Sequence, residues 1–419
     1  MKFERFIAQR FMPRSKDGGG FSGPLSAIAV ASIALGVVVM VMAVSILGGF
    51  QGAIADKVVG FGSHLTVSNY ASNPLYQETP VAVDSALTAR LTTVPGVRHL
   101  QFFATKGGMV KTQEQIYGIM LRGLSPNYDT AFFASCLVGG RLPRFDTPQP
   151  SNDVLISSTI ASRMKLAVGD KMRTYFWGGE APRSRAFTVC GIYNTDLTEM
   201  DELYVVGDLR QVQRLNGWDV GDSNGANGVQ APLVGGYELL VDDFDRLDAT
   251  AAHVLQELPY DLSLQTIVEA HPALFSWLDL LDSNITLILF IMSLVCAVAI
   301  VSALLIMIFE KGRTIGLLKA LGATNASVRR IFLLKASRLI LEGIVIGDAV
   351  ALAFCLVQAR WHVVKLDPES YSMPYVPIDL DPAIFIAISA ATLAVCLLAL
   401  LLPAAYISHI SPAKTIKAE

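Results

Sequence analysis

Apolar residues gather into four long runs, and the polar segments between them differ greatly in length. The runs lie within 25–47, 285–309, 333–357 and 383–402, each close to the roughly 20 residues a helix needs to cross a hydrocarbon core about 30 Å thick. The first, second and fourth hold no Asp, Glu, Lys or Arg, whereas the third is apolar chiefly over 339–357 and carries Glu342 and Asp348 inside it. The pattern predicts an α-helical membrane protein with four transmembrane helices and a large α+β domain, 48–284, inserted between helices 1 and 2.

Within the insert the periodicity switches to short alternating segments. Strands over 64–69, 100–110 and 115–122 with a helix over 84–93 read as one α/β half. A similar second half has strands over 237–241 and 262–267 and a helix over 247–257. Between them a β-rich module, 134–227, shows strands at 153–156, 171–176 and 186–193, with loops at 177–185 and 216–236.

The short segment 310–332 is charged and amphipathic. On a helix Ile315, Leu318 and Leu321 fall at i, i+3 and i+6 and read as one apolar stripe, with Lys311, Arg313 and Lys319 off it. Gly322 supplies a stop, and Thr324 or Asn325 caps a second helix leading into the third span.

Charge decides which side each segment faces. Lys2, Arg5, Arg10, Arg14 and Lys16 precede the first span, and Lys311, Arg313, Lys319, Arg329, Arg330, Lys335 and Arg338 separate the second from the third. The loop 358–382 instead sets Asp367, Glu369, Asp379 and Asp381 against Arg360 and Lys365. By the excess of Lys and Arg on the cytoplasmic side, the N-terminal segment 1–24, the 310–332 segment and the tail 403–419 face the cytoplasm. Residues 48–284 and 358–382 face out. At 23 residues the first run exceeds the 7 to 15 of a signal-peptide core, so it reads as a retained span. Phe3, Phe6, Ile7 and Phe11, interleaved with Lys2, Arg5 and Arg10, read as an amphipathic helix on the inner leaflet.

Composition agrees: 52% of residues are hydrophobic and 16% charged. The insert carries 17 basic and 26 acidic side chains, a formal charge of −9, which disfavours nucleic acid as a partner. No Gly-Lys dipeptide occurs, so a phosphate loop of the G-x-x-x-x-G-K type is impossible and any ATP and magnesium must be bound by a partner. The six histidines are scattered, no metal-ligand spacing exists, and no cofactor is expected in this chain. Gly221-Asp222-Ser223-Asn224-Gly225 matches G-x-S-x-G only formally, since turn residues crowd both sides. The acidic pairs Asp201-Glu202 and Asp242-Asp243 read as solvated turns. Nothing points to an enzyme. Cys296, Cys355 and Cys396 sit in spans, while Cys136 and Cys190, in the insert, either pair or stay free thiols.

The segment around 310–324 resembles the coupling region of the FtsX-like permeases, the MacB-type membrane subunits of type VII ABC systems. The likeness rests on Glu310-Lys311, Arg313, Ile315-Gly316 and Lys319-Ala320-Leu321-Gly322-Ala323-Thr324, and on Ser411-Pro412-Ala413 near the end. Within that group the chain is most similar to the LolC and LolE type of lipoprotein-releasing permease. Matching stretches include Ser45-Ile46-Leu47-Gly48-Gly49-Phe50-Gln51, Leu121-Arg122-Gly123-Leu124, Val168-Gly169-Asp170-Lys171 and Pro272-Ala273-Leu274-Phe275. Leu366-Asp367-Pro368, Tyr371 and Val376-Pro377-Ile378 match in the outer loop.

The resemblance implies a bacterial inner-membrane protein that recruits a LolD-like ATPase and pairs with a second permease subunit, as homo- or heterodimer. Such a complex passes lipoproteins outward, in some cases to a LolA-like carrier. It implies ATPase coupling through Glu310, Arg313, Ile315, Leu318, Lys319, Leu321 and Gly322. It also implies a cargo cavity near Met40, Val41, Val44, Leu47, Phe50, Tyr371 and Pro377; the apolar residues of the first span equally suit helix packing. The hairpin 175–185 is short beside the hook of LolC-type subunits, and so LolE-like. Glu342 stands one turn after Arg338 and reads as its ion-pair partner, whereas Asp348 has no such neighbour. Rival readings keep the fold and change the role, to export of drugs or peptides or to mechanical control of a periplasmic hydrolase or sensor.

Overall fold

A computed structural model describes residues 22–72, 78–112, 115–177, 182–218, 232–367, 371, 373–401 and 403. The N-terminal segment before residue 22, the G-x-S-x-G match and most of the tail lie outside them. The chain divides into two compact units. One comprises 1–51, 276–365 and 375–419, and the other 52–275 with 366–374.

The first unit is helical. Its four long apolar helices are α1 (Ser22–Gly62), α9 (Pro272–Glu310), α11 (Asn325–Trp361) and α12 (Pro382–Ala399), with the short α10 (Gly312–Ala320) between α9 and α11. Three of the long helices outrun the apolar runs that announce them: α1 continues past Leu47, α9 starts before Ile285, and α11 extends from Asn325 to Trp361. Their core joins Ile33, Val37, Met40 and Val41 to Cys296, Ile300, Phe332, Ile340 and Cys396.

Backbones approach closely where glycine removes a side chain. A Cβ on Gly347 would stand 2.8 Å from Ala34 O and from Val37 Cβ, and one on Gly343 would stand 2.9 Å from Ile33 Cβ. Small residues four apart are the usual device for helix association in lipid, where tails are as apolar as leucine and burial gives no drive. Both carboxylates of α11 find partners. Arg338 Nε donates to Glu342 Oε1 at 3.0 Å, as its spacing predicts, and Ser389 Oγ donates to Asp348 Oδ2 at 2.7 Å. Asp348 thus finds on α12 the partner that its own helix lacks.

The second unit is α/β. Strands β1 (Leu65–Asn69), β3 (Val97–Lys111), β11 (Gly236–Val241) and β12 (Leu262–Thr266) lie in the order β12-β1-β11-β3, all antiparallel. Helices α2 (Ser85–Thr93) and α7 (Leu247–Glu257) connect them in the split β-α-β manner. The two halves foreseen in the sequence are present, and their strands interleave rather than standing apart. Asp84 caps α2 by accepting from Ala86 N, and Leu87 and Leu91 turn inward.

The β-rich module is not separate, contrary to the sequence reading. Strand β3 is 15 residues long and serves both parts. Past Phe103 it pairs with β4 (Ile116–Leu124), and the ring continues through β9 (Tyr204–Asp208), β6 (Asp153–Ser157), β8 (Arg183–Tyr193) and β7 (Lys171–Phe176) back to β3. The result is a closed six-stranded barrel. Along β7, Met172, Thr174 and Phe176 are buried while Lys171 and Arg173 are exposed, the period of two that a barrel wall requires. Residues 183–185, expected in a loop, extend β8, because Thr174, Tyr175 and Phe176 offer them ladder partners. Strand β9, with no alternation to betray it, was missed in the sequence. It is buried on both faces and reads as Tyr-Val-Val-Gly-Asp.

Candidate coupling region and outer-loop site

Helix α10 starts just after α9, with Lys311 at its N-cap, and ends in a left-handed turn. Leu321 N donates to Leu317 O, Gly322 N to Lys319 O and Ala323 N to Leu318 O, with Gly322 at φ +95°. Only glycine takes that conformation without strain, so Gly322 is the stop its sequence position suggested. Thr324 then caps α11, its hydroxyl accepting from Ser327 N at 3.2 Å.

The apolar stripe assigned from sequence divides. Ile315 is 1% exposed and belongs to the bundle core, Leu318 is half-buried, and Leu321 is 77% exposed. At about 100° per residue, i and i+6 lie about 120° apart, and α10 already ends at Ala320. Leu317, 57% exposed, stands one turn before Leu321 on the open side. The exposed apolar pair is therefore Leu317 and Leu321. Leu317 was missed although the i, i+4 spacing to Leu321 marks it. Glu310 and Lys319 lie at the end of α9 and in the last turn of α10, and Arg313 in its first turn.

Of the residues expected to line a cargo cavity, Met40 and Val41 are in the bundle core at 2% and 0% exposure, and Leu47 is also buried. Met40 and Val41 pack in the bundle core, as their apolar character also allowed. Val44 and Phe50 are half-buried, and Phe50 meets Trp277 edge to face at 6.4 Å between centroids. Gly49 lies under the outer loop: a Cβ there would come within 2.7 Å of Pro377 C and O. Asp379 N donates to Ser45 O at 2.9 Å. Thus Pro377 is brought to α1 together with Phe50. Tyr371 is 47% exposed and belongs to the other unit.

The α/β unit holds a buried polar network that sequence reasoning did not identify. Arg122 on β4 pairs with Glu238 on β11, both nearly inaccessible. Gln101 Nε2 donates to Glu238 Oε2 at 3.1 Å, and Arg122 Nη2 to Tyr128 Oη at 3.3 Å. The guanidinium also lies 5.3 Å from the Phe61 ring and 5.5 Å from Phe103. Burial opposes its charge, but Glu238 beside it holds its pKa above the usual range. Nearby, Glu78 accepts from Thr105 N at 2.7 Å and from Thr105 Oγ1 at 3.2 Å. Burial pushes the Glu78 carboxyl up to about 7, against the hydrogen bonds of Thr105. His64 is pushed down to about 4 by burial and then by Arg98. Its Nδ1 accepts from Val241 N at 3.1 Å, which places the proton of the neutral ring on Nε2. Cys136 and Cys190 are free thiols; Cys190 Sγ donates to Val154 O.

Two family models match this chain. The FtsX-like permease C-terminal model covers residues 286–412, and the MacB-like periplasmic core domain model covers 26–256. The lipoprotein-releasing system transmembrane protein LolC of Xylella fastidiosa (strain Temecula1) is 25% identical over 99% of this chain and 98% of its own. The lipoprotein-releasing system transmembrane protein LolE of Haemophilus influenzae is 21% identical, covering 98% of each chain. The periplasmic region of MacB from Actinobacillus actinomycetemcomitans aligns with 52% of this chain and 95% of its own, at 12% identity and a TM-score of 0.32. With both models matched in order along the sequence, the chain belongs to the FtsX-like ABC transporter permeases that carry a MacB-like periplasmic core domain.

Proposed function

We propose that this chain is a membrane subunit of a lipoprotein-releasing system in a bacterial inner membrane. It lifts lipid-anchored proteins from the outer leaflet and passes them toward the outer membrane. The observation that carries this reading is likeness over nearly the full length to relatives named LolC and LolE, through both the insert and the outer loop. The energetics fit such a role. Each buried CH₂ of an acyl anchor holds it in the bilayer by about 0.8 kcal/mol, so extraction needs an external energy source and an apolar shelter. The chain itself is non-catalytic: a separate LolD-like ATPase binds ATP and magnesium and docks at α10. Leu317 and Leu321 provide its apolar contact, and Glu310, Arg313 and Lys319 the charges around it. A second permease subunit completes the cargo path, with Val44, Phe50 and Pro377 lining this chain's share. Residues 52–275 face the periplasm, and α10 the cytoplasm.

The test is depletion of the protein followed by separation of inner and outer membranes and quantification of acylated lipoproteins by mass spectrometry. Accumulation of mature lipoproteins in the inner membrane supports release; an unchanged distribution sinks it in favour of drug or peptide export or mechanical signalling. Docking is tested separately. Leu317→Asp with Leu321→Asp is expected to abolish co-purification of the ATPase, while the control Leu352→Ala, on an apolar stretch of α11, leaves it intact.

A further inference from the structure

The last turns of α1 are seated in the α/β unit. Ile54, Val58 and Phe61 are buried, and the Phe61 ring lies 5.7 Å from Phe133 and 5.0 Å from Tyr204. A Cβ on Gly60 would stand 2.2 Å from the Phe132 ring, so the helix end is in close contact there as well. One turn before Phe61, Lys57 Nζ donates to Asp196 Oδ2 at 3.1 Å, with the two side chains 20% and 19% exposed.

Asp196, in the loop that follows β8, is held independently of Lys57. Its backbone stands at φ +59°, a conformation that glycine takes freely and other residues take at a cost. Asn194 Nδ2 donates to Asp196 Oδ1 at 2.7 Å. Asn194 is itself fixed, by Ser158 Oγ donating to its Oδ1 at 3.1 Å and by its own N–H on Cys136 O at 2.9 Å. Next along the chain, Thr195 N and Thr195 Oγ1 donate to the buried Asp201 carboxylate at 3.1 and 2.9 Å. The Asp196 carboxylate is thus aimed before Lys57 reaches it.

Apolar packing around Phe61 has no preferred direction, so alone it retains the helix end without fixing its rotation, whereas a charge-assisted hydrogen bond is directional. An ion pair that keeps some contact with water adds little to stability, so its effect is on geometry. Helix α1 is unbroken from Ser22 to Gly62, and a turn or axial shift along it therefore reaches Lys57. We propose that Lys57 and Asp196 are positioning residues: their ion pair keys α1 to the barrel loop in one rotational setting, so that movement of α1 during ATP hydrolysis by the partner subunit becomes a defined movement of β8. This rests on the lipoprotein-release reading above.

The experiment uses the full complex with its ATPase in proteoliposomes loaded with a triacylated lipoprotein. ATP hydrolysis, lipoprotein released per ATP and amide exchange along β8 with and without ATP are followed together. Lys57→Met keeps the apolar stem and removes the charge, while Asp196→Gly keeps the φ +59° backbone and removes the carboxylate. Each is expected to lower release per ATP roughly fivefold, at near wild-type hydrolysis and with a melting temperature within about 2 °C of wild type. The double variant loses no more than either single one, because the same interaction is removed in each case. Lys57→Arg restores the cation and releases near the wild-type level. ATP alters exchange along β8 in the wild type, and that response is lost in Asp196→Gly. The proposal is overturned by normal release per ATP in Asp196→Gly, by losses that multiply in the double variant, or by a fall in release matched by a fall in melting temperature, which marks a merely structural pair. A wild-type complex that hydrolyses ATP but releases no lipoprotein overturns the release reading instead, and the ATP response along β8 then decides whether the key acts.

Discussion

Glu78 makes the attachment of its segment to the barrel strand β3 sensitive to pH near neutrality. Its carboxyl receives both donors of Thr105, and the charges acting on it are Arg122 and Glu238 from the buried network and Lys106 on β3. Burial raises its pKa from 4.5 to about 7. With the folded-state value above the unfolded one, the closed segment binds a proton that the open segment releases. The resulting stability is fully present below about pH 4.5 and is lost as pH rises through about 7. At about 1.4 kcal/mol per unit, the loss amounts to roughly 3 kcal/mol, or on the order of a hundredfold in the opening equilibrium. The assay is hydrogen exchange of the Thr105 amide in the full-length protein, corrected for intrinsic exchange, between pH 5 and pH 8.5. Protection in the wild type is expected to fall by about two orders of magnitude over that range. Glu78→Gln, whose amide both accepts the Thr105 N–H and donates to its hydroxyl, is expected to be nearly flat with pH and better protected above pH 7. Parallel curves for the two proteins would refute the reasoning, because the titrating group would then lie elsewhere.

Other changes test the packing and the network. Arg122→Met leaves Glu238 buried without its cation and is expected to cost about 3–5 kcal/mol, whereas Arg122→Met with Glu238→Leu recovers most of it; thermal unfolding of the purified protein distinguishes the two. Gly347→Leu forces α1 and α11 apart and is expected to cost at least the roughly 1–3 kcal/mol of an overpacked core, read as a lower melting temperature in detergent. Gly322→Ala requires a side chain at φ +95° and is expected to destabilise the α10 stop by about 1 kcal/mol, seen as faster amide exchange at Gly322 and Ala323.

The long elements were legible because their signals are local. Twenty apolar residues announce a span, alternation announced β7, and Gly322 with Thr324 marked the junction between two helices. The barrel was not legible because its closure depends on pairings such as Gly108 with Phe176 and Met120 with Tyr204, which join residues far apart in sequence. The amphipathic stripe misled for a different reason: i+6 is not a helical neighbour of i, and the helix ended before the third member was reached. Glu238 was invisible for a third reason. A single acidic residue in an apolar strand looks like an exception until the fold shows Arg122 opposite it.

The bundle uses three of its glycines internally, and its outer faces are built differently. Gly343 and Gly347 are consumed against α1, and Gly36 against Cys296 of α9. The outward stripe of α9 reads Leu287, Phe290, Leu294 and Val298, and that of α11 reads Leu341, Val345, Leu352 and Leu356, all exposed and all large. In a bilayer such large side chains gain nothing from burial as such, because lipid tails are as apolar as they are, whereas close association of helices depends on small residues or polar pairs, and the exposed face of α11 offers Ala349 and Ala353, four apart. The large side chains therefore suit bilayer lipid, which conforms to them, while Ala349 and Ala353 mark where another helix could approach α11 closely.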